Sequence, residues 1–111
     1  MIMVNEPPYQ PIQRSVKLSD EVWAAALERA ELEGTSGSEI CERLLAYYLA
    51  LYVKPPGYKL PPGVTTRKRS VYITRPTWAA AKAQKVQERR PISAILEQLL
   101  RGYLGLDLAS G

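Results

Sequence analysis

Polar and apolar residues alternate in the stretch 12–19. Its apolar-side residues are Ile12, Arg14, Val16 and Leu18, and its polar-side residues are Gln13, Ser15, Lys17 and Ser19. A period of two residues is typical of a half-buried β-strand. Ser19 can cap the helix that follows. That helix is predicted by apolar residues spaced three and four apart, namely Val22, Trp23, Ala26, Leu27 and Ala30.

Gly34 stands where a helix end favours a residue with positive φ. The segment 35–38, Thr-Ser-Gly-Ser, then offers capping oxygens to a second helix. Its apolar residues are Ile40, Leu44, Leu45, Tyr48, Leu49 and Tyr52. These residues cover more than one helix face, so we expect this helix to lie at the centre of the core.

The whole pattern returns 55 residues later. Of the 36 positions from 14 to 49, 15 are identical at that offset: 14, 15, 16, 23 to 26, 33, 38, 40, 42, 44, 45, 48 and 49. Such self-similarity predicts a tandem duplication. We divide the chain into an N-terminal arm (1–11), a first repeat (12–52), a Pro/Gly-rich linker (53–66), a second repeat (67–105) and a tail (106–111).

Composition limits the chemistry. A repeat of about 40 residues rarely folds alone without a metal, disulfides or a partner. The sequence has no His and a single cysteine, Cys41, which can neither close an internal disulfide nor build a thiolate metal site. No Gly-rich phosphate loop, nucleophile elbow or metal-ligand spacing is present. We therefore expect no enzyme activity, no cofactor and no small-molecule substrate, and we expect partnering to supply the missing stability.

The start of the sequence lacks a signal-peptide profile. The longest apolar run, 44–53, is too short to span a bilayer. We therefore expect no membrane association and a cytoplasmic protein, bound to the nucleoid or to plasmid or phage DNA.

Charge is distributed unequally. The net charge is +4, but residues 1–52 hold four basic and eight acidic side chains (−4), whereas residues 53–111 hold eleven basic and three acidic ones (+8). A polyanionic partner would meet mainly the second half. The alternative is that these Lys and Arg residues merely solvate a surface.

A short polar/apolar strand followed by two helices resembles the ribbon-helix-helix superfamily of DNA-binding proteins (MetJ, Arc and CopG types). The resemblance covers 12–52 and again 67–105, and the segment 38–43 is especially similar to the start of the second helix in Arc-like repressors. It implies a mostly α-helical fold with a short two-stranded antiparallel β-ribbon. Tandem ribbon-helix-helix repeats would form an intramolecular pseudo-dimer, β-α-α-linker-β-α-α. Glu39 and Arg43 match that family's ionic cluster, with a surface salt bridge as the alternative.

The resemblance also implies that the ribbon enters the DNA major groove. By matching positions, the expected base-reading residues are Gln13, Ser15, Lys17, Lys68, Ser70 and Tyr72. Lys can donate to guanine, Gln can pair with adenine, and the Tyr72 ring can touch a thymine methyl. Because only the two Ser positions agree, the half-sites should differ in sequence. The alternative is that the six residues form the solvated face of an ordinary sheet.

Family members place a phosphate at the start of the second helix, where backbone amides are free. The expected phosphate-binding residues are Ser36, Gly37, Ser38, Arg67, Arg69, Arg89, Arg90 and Ser93. Pro91 removes one amide from the second copy, for which Arg89 and Arg90 can compensate. Trp23 and Trp78 lie within helical apolar stripes and are expected in the core rather than stacked on bases.

These features predict a sequence-specific double-stranded DNA-binding protein, a transcriptional repressor or regulator that can self-associate on adjacent sites. One alternative is a relaxosome accessory protein of the TraY type, or a partition protein. A second is an antitoxin, for which the short tail after the fourth helix leaves little to wrap a toxin. A third is a helical module that binds protein alone. The sequence does not decide whether the strands pair within one chain or between chains.

Overall fold

The computed structural model describes residues 10–51 and 64–106. Within them the chain forms strand β1 (Pro11–Ser19), helices α1 (Asp20–Glu33) and α2 (Gly37–Leu51), strand β2 (Thr66–Thr74), and helices α3 (Arg75–Glu88) and α4 (Ile92–Leu104). Each strand begins one residue earlier than expected, because Pro11 and Thr66 were assigned to the arm and the linker. Residues 1–9 of the arm, most of the linker and most of the tail lie outside the described residues, as does Tyr52, which was predicted at the end of the second helix.

The two strands form one antiparallel sheet, paired along their full length from Pro11 opposite Thr74 to Ser19 opposite Thr66. At its centre Ser15 lies opposite Ser70, the residue 55 positions later in the repeat. A residue paired with its own counterpart marks a local twofold axis. The two halves of the sheet are therefore related by a pseudo-twofold axis through this serine pair.

The expected fold class requires correction. Four helices and a single two-stranded antiparallel sheet, in the order β1-α1-α2-β2-α3-α4, make one body, and neither repeat forms a unit of its own. The prediction of two tandem ribbon-helix-helix units is therefore wrong, because the two halves share one sheet and one core. Strand β1 packs more extensively against α4 than against α1, and β2 packs more extensively against α2 than against α3. The ribbon is also longer than expected, at nine residues a strand.

The junctions between strands and helices explain this exchange. Each strand runs directly into its helix, at Ser19–Asp20 and at Thr74–Arg75, with no loop between them. Without a loop, the first helix cannot fold back over the apolar face of its own strand. That face is instead covered by the second helix of the other half.

One apolar core joins both halves. The inward side chains of the ribbon, Val16, Leu18, Val71 and Ile73, are each at most 2% exposed. Burial of such side chains contributes about 1.5–3 kcal/mol each. They pack with residues from three helices: Val22, Ala26, Ala30, Ile40, Cys41, Leu45, Tyr48, Ile95, Leu96 and Leu100. Trp23 and Trp78 pack against this core, as expected.

The helix ends follow the sequence signals in the first repeat. The Ser19 hydroxyl accepts a hydrogen bond from the Val22 amide at 3.2 Å and caps α1. Gly34 closes the helix with a φ of 70°. In the second repeat the matching position holds Arg89, at a φ of 57°.

Two tyrosine–glutamate contacts connect the halves. Tyr48 donates to Glu88, and Tyr103, its repeat counterpart, donates to Glu33. The hydrogen bond from Tyr103, followed by that from Arg43, lowers the pKa of Glu33. Burial opposes the lowering of the Glu88 pKa, but hydrogen bonds from Tyr48 and other donors prevail. Because both folded-state pKa values are lowered, these contacts stabilise the fold above the unfolded value near 4.3, and the contribution is lost as pH falls.

The Cys41 thiol should be a reporter of unfolding. Burial raises the pKa of this thiol to about 12, so only about one in ten thousand is ionised at pH 8, and the thiolate is the nucleophile. We expect negligible alkylation by iodoacetamide in buffer and rapid alkylation in denaturing urea, where the pKa returns to about 8.5. Rapid alkylation without denaturant would contradict the packing of α2 described above.

Candidate nucleic-acid interface

The outer face of the ribbon gathers all the expected base-reading residues. Strand geometry sends alternate side chains to opposite faces, so a buried inner set requires an outer set. The outer side chains form three cross-strand pairs: Gln13 with Tyr72, Ser15 with Ser70, and Lys17 with Lys68. All six are exposed. The two strands thus bring together residues that lie more than fifty positions apart in the sequence.

The two ends of this outer face differ chemically. The first end carries Gln13 and Tyr72, where the Gln13 Nε2 also donates to Ser70 Oγ at 3.0 Å. The second end carries Lys17 directly opposite Lys68. Like charges directly opposite each other destabilise a sheet by about 0.2–1 kcal/mol. Only one end of the ribbon holds a pair of like charges, so the pseudo-twofold axis does not apply to the charges of the outer face.

Hydroxyls at the helix starts bind the ribbon edges. The Ser38 Oγ accepts a hydrogen bond from the Tyr72 amide at 2.9 Å. Its counterpart, Ser93 Oγ, accepts one from the Lys17 amide at 2.8 Å. The two serines thus support two of the expected base-reading residues, and their contact with phosphates stays a prediction. They hold the backbone of each strand at a fixed distance from α2 and α4.

The remaining residues at the start of α2 have local roles. The Ser36 Oγ accepts from the Glu39 amide at 3.1 Å and so caps the helix. Gly37 is buried, and a Cβ there would lie 3.2 Å from side-chain atoms of both Leu27 and Trp23. The glycine therefore allows α1 and the start of α2 to approach closely. Arg43, six residues after Gly37 on α2, pairs with Glu33 at 2.8 Å.

Two glutamates that the sequence reasoning missed hold the ends of the strands. The Glu97 carboxylate is 1% exposed and accepts from the Ser19 amide at 3.0 Å and from the Ser19 hydroxyl at 2.8 Å. Its counterpart, Glu42, accepts from the Thr74 amide and hydroxyl, both at 2.9 Å. Two features of the sequence could have indicated them. A glutamate stands at both positions of the repeat, and a serine or threonine ends each strand.

The counterparts differ in what else they bind. Glu97 pairs with Arg101 Nε at 2.9 Å, inside the protein, and Arg101 also reaches Glu21 at 2.8 Å. Glu42 instead accepts from the Thr77 hydroxyl at 2.6 Å. One strand end is therefore anchored by a buried ion pair and the other by neutral donors.

The three arginines of the ribbon share the strand parity of its buried side chains: Arg14 in β1, and Arg67 and Arg69 in β2. Arg67 is exposed and lies 3.5 Å from Asp20. Arg69 also pairs with Asp20, but its side chain is only 17% exposed because it lies on the helix-facing side of β2. Its counterpart Arg14 stacks over the Trp78 ring, 5.2 Å from the centroid. Among the described residues, the Nε atoms of Arg14 and Arg69 are buried without a hydrogen-bond partner.

Two arginines lie between α3 and α4, one exposed to solvent and one held by neighbouring side chains. Arg89 is exposed. Arg90 is half-buried and bridges Glu88 at 2.8 Å and Gln98 at 2.6 Å. Of this expected phosphate-binding pair, Arg89 is the one whose side chain faces solvent.

Because Arg89 has a left-handed backbone conformation, the fold should be less stable with arginine than with glycine at this position. A left-handed conformation costs an L-residue about 1–2 kcal/mol, and the gain from glycine is offset by about 0.4–1 kcal/mol of unfolded-chain entropy. We expect Arg89→Gly to raise the free energy of unfolding by about 0.5–1 kcal/mol, measured in urea. The matched control is Gly34→Ala, which should cost about 1 kcal/mol, because a Cβ there meets no atom within 4 Å and only the backbone is strained. A loss of stability in Arg89→Gly would contradict this explanation.

An open groove of about 670 Å³ lies at the lysine end of the ribbon. It is lined by Ser15, Lys17, Thr66, Lys68, Pro91, Ser93, Ala94 and Glu97. The groove therefore connects the outer face of the ribbon with the start of α4. Within residues 10–51 and 64–106, no group of His, Cys, Asp or Glu side chains is arranged to hold a metal ion.

None of the described helices has both the length and the apolar character needed to cross a membrane. No protein-family model matches the sequence, and comparisons with curated proteins and with solved structures give no significant match.

Proposed function

We propose that the protein binds double-stranded DNA by inserting the outer face of its two-stranded sheet into the major groove. The major groove is about 12 Å wide and admits a two-stranded ribbon. The six exposed side chains carry amide, hydroxyl, ammonium and phenol groups, which are the donors and acceptors that base edges pair with. The resemblance of the sequence to ribbon-helix-helix proteins supports the same proposal.

The single observation that carries the proposal is the pairing of Lys17 with Lys68 on an exposed face. Two ammonium groups held opposite each other reduce the stability of the isolated protein. A polyanion that binds both removes the repulsion and gains two contacts. Arg67, near the start of β2, and Arg89, between α3 and α4, are also exposed and add positive charge outside the six base-reading positions.

The proposed DNA site is not palindromic. The lysine end of the ribbon suits guanine, whose O6 and N7 both accept hydrogen bonds in the major groove. The other end suits A·T pairs, because Gln13 can pair with adenine and the Tyr72 ring can contact a thymine methyl. Selection of bound duplexes from a random pool should therefore return an asymmetric motif with guanine at one end. A palindromic motif would contradict this assignment of the two ends.

Salt dependence tests DNA binding itself. With about four cations engaged, the logarithm of the association constant should fall with the logarithm of salt concentration at a slope of about −3.6. Fluorescence anisotropy with a labelled duplex, between about 50 and 200 mM salt, measures this slope. An affinity that stays flat over this range for every duplex would refute the proposal and favour a module that binds protein alone.

The biological role proposed is transcriptional regulation, most simply repression by occupancy of an operator. A relaxosome or partition accessory role uses the same interface, and an origin-containing duplex distinguishes it from an operator in the same assay. We place the protein in the cytoplasm, on nucleoid, plasmid or phage DNA, as part of this proposal.

A further inference from the structure

Helices α1 and α3 carry exposed surfaces of opposite charge. The acidic surface consists of Glu28, Glu31 and Leu32 on α1, and the basic surface consists of Lys82, Lys85 and Val86 on α3. All six side chains are exposed. In each set the residues follow the spacing i, i+3 and i+4, which places them on one helix face. Each surface therefore combines two like charges with one apolar side chain.

The apolar parts of the two surfaces also complement each other. Val86 is 76% exposed, which is high for a β-branched apolar residue in a chain with a well-filled core. Next to the acidic surface lies a shallow pocket of about 220 Å³, lined by Ala25, Glu28, Arg29, Leu32 and Leu104. An exposed apolar side chain and a pocket elsewhere on the same molecule favour a head-to-tail contact between copies.

Both surfaces lie on helices, and neither includes a residue of the outer face of the ribbon. Residues 28–32 and 82–86 begin seven or eight residues beyond the strand–helix junctions, which corresponds to about 11–12 Å along each helix axis. The pseudo-twofold axis relates α1 to α3 across the ribbon, so the surfaces belong to opposite halves of the molecule. The contact between copies therefore uses none of the six proposed base-reading residues.

We propose that the protein associates head to tail, with Val86 of one copy seated in the pocket beside Leu32 of the next and Lys82 and Lys85 facing Glu28 and Glu31. Such a contact uses different surfaces on the two copies, so it extends into an open row unless the rotation closes a ring. All copies in the row point the same way. On DNA, a directional row matches the non-palindromic site proposed above, although the contact itself does not require DNA.

Charge exchange provides the test. The variants Glu28→Lys/Glu31→Lys and Lys82→Glu/Lys85→Glu each place like charges on both surfaces, so each alone should remain monomeric. Mixed in equal amounts they restore opposite charges at every contact. By sedimentation velocity without DNA at about 50 mM salt, we expect concentration-dependent association of the wild-type protein and of the mixture, and at least about tenfold weaker association of either variant alone.

The apolar contact has its own variant. Val86→Asp should also be monomeric, and because Val86 is exposed the change should not affect folding. Ala80→Asp is the matched control, since Ala80 is also exposed on α3 but lies about 200° around the helix from Lys82. It should associate like the wild-type protein. A monomeric wild-type protein at low salt, a monomeric mixture, or association of a single charge variant at wild-type strength would each overturn the proposal. None of these results would bear on the proposed DNA binding, because the sedimentation samples contain no DNA.

Discussion

Glu97→Ala is expected to lower the free energy of unfolding by about 3–5 kcal/mol, because it breaks an ion pair whose two side chains are both buried. The carboxylate accepts two hydrogen bonds from Ser19 and one from Arg101, whose side chain is itself buried. Its loss frees the end of β1 from α4 and removes from the Arg101 guanidinium the carboxylate partner that is itself buried. Urea unfolding followed by circular dichroism measures the change.

Glu42→Ala is the matched control, at the same position of the other repeat. Glu42 accepts hydrogen bonds from Thr74 and Thr77, which are neutral, so its loss should cost only about 1–3 kcal/mol. The double variant Glu97→Ala/Arg101→Ala also removes the buried Arg101 charge, so it should recover part of the lost free energy of unfolding. Equal costs for Glu97→Ala and Glu42→Ala would show that the buried ion pair contributes nothing beyond its hydrogen bonds to the strand.

Lys17→Gln/Lys68→Gln is expected to change binding and stability in opposite directions. Loss of two contacts to base edges, at about 1–3 kcal/mol each, should weaken binding to the selected duplex about 30-fold or more, and should relax the preference for guanine at that end of the site. The free energy of unfolding should stay level or rise by a few tenths of a kcal/mol, because the like-charge pair is removed. Anisotropy and urea unfolding measure the two effects on the same samples.

The control for this pair is Lys82→Gln/Lys85→Gln, which removes the same total charge from α3 and is assayed on a duplex that holds a single copy, so that contacts between copies do not contribute. It should weaken binding far less, because these side chains lie on α3 and not on the ribbon. Equal weakening by both double variants would mean that net charge, rather than the ribbon, determines DNA affinity.

Local structure was predictable because its signals are local. Alternation around Val16 and Val71 predicted both strands, and Ser19 and Gly34 predicted the start and end of α1. The inward position of Arg69 was also available, since Arg69 has the same parity as Val71 and Ile73. It was expected at a phosphate only because its charge was considered without its register in the strand.

Long-range structure was not predictable from such signals. The packing of α4 on β1 joins residues more than 70 positions apart, which no local residue pattern specifies. Likewise, the sequence does not show that Ser38 and Ser93 each bind an amide of a strand in the other half. The lysine pair at one end of the ribbon becomes visible only once the register places Lys17 opposite Lys68.

The most direct test of the proposed interface is methylation interference on a selected duplex. Dimethyl sulfate modifies guanine N7, which lies in the major groove, and adenine N3, which lies in the minor groove. Binding through the ribbon predicts that N7 methylation at one end of the site blocks the complex, that N3 methylation does not, and that Lys17→Gln/Lys68→Gln removes the discrimination. Blocking by N3 methylation alone, or indifference to both modifications, would contradict insertion of this ribbon into the major groove.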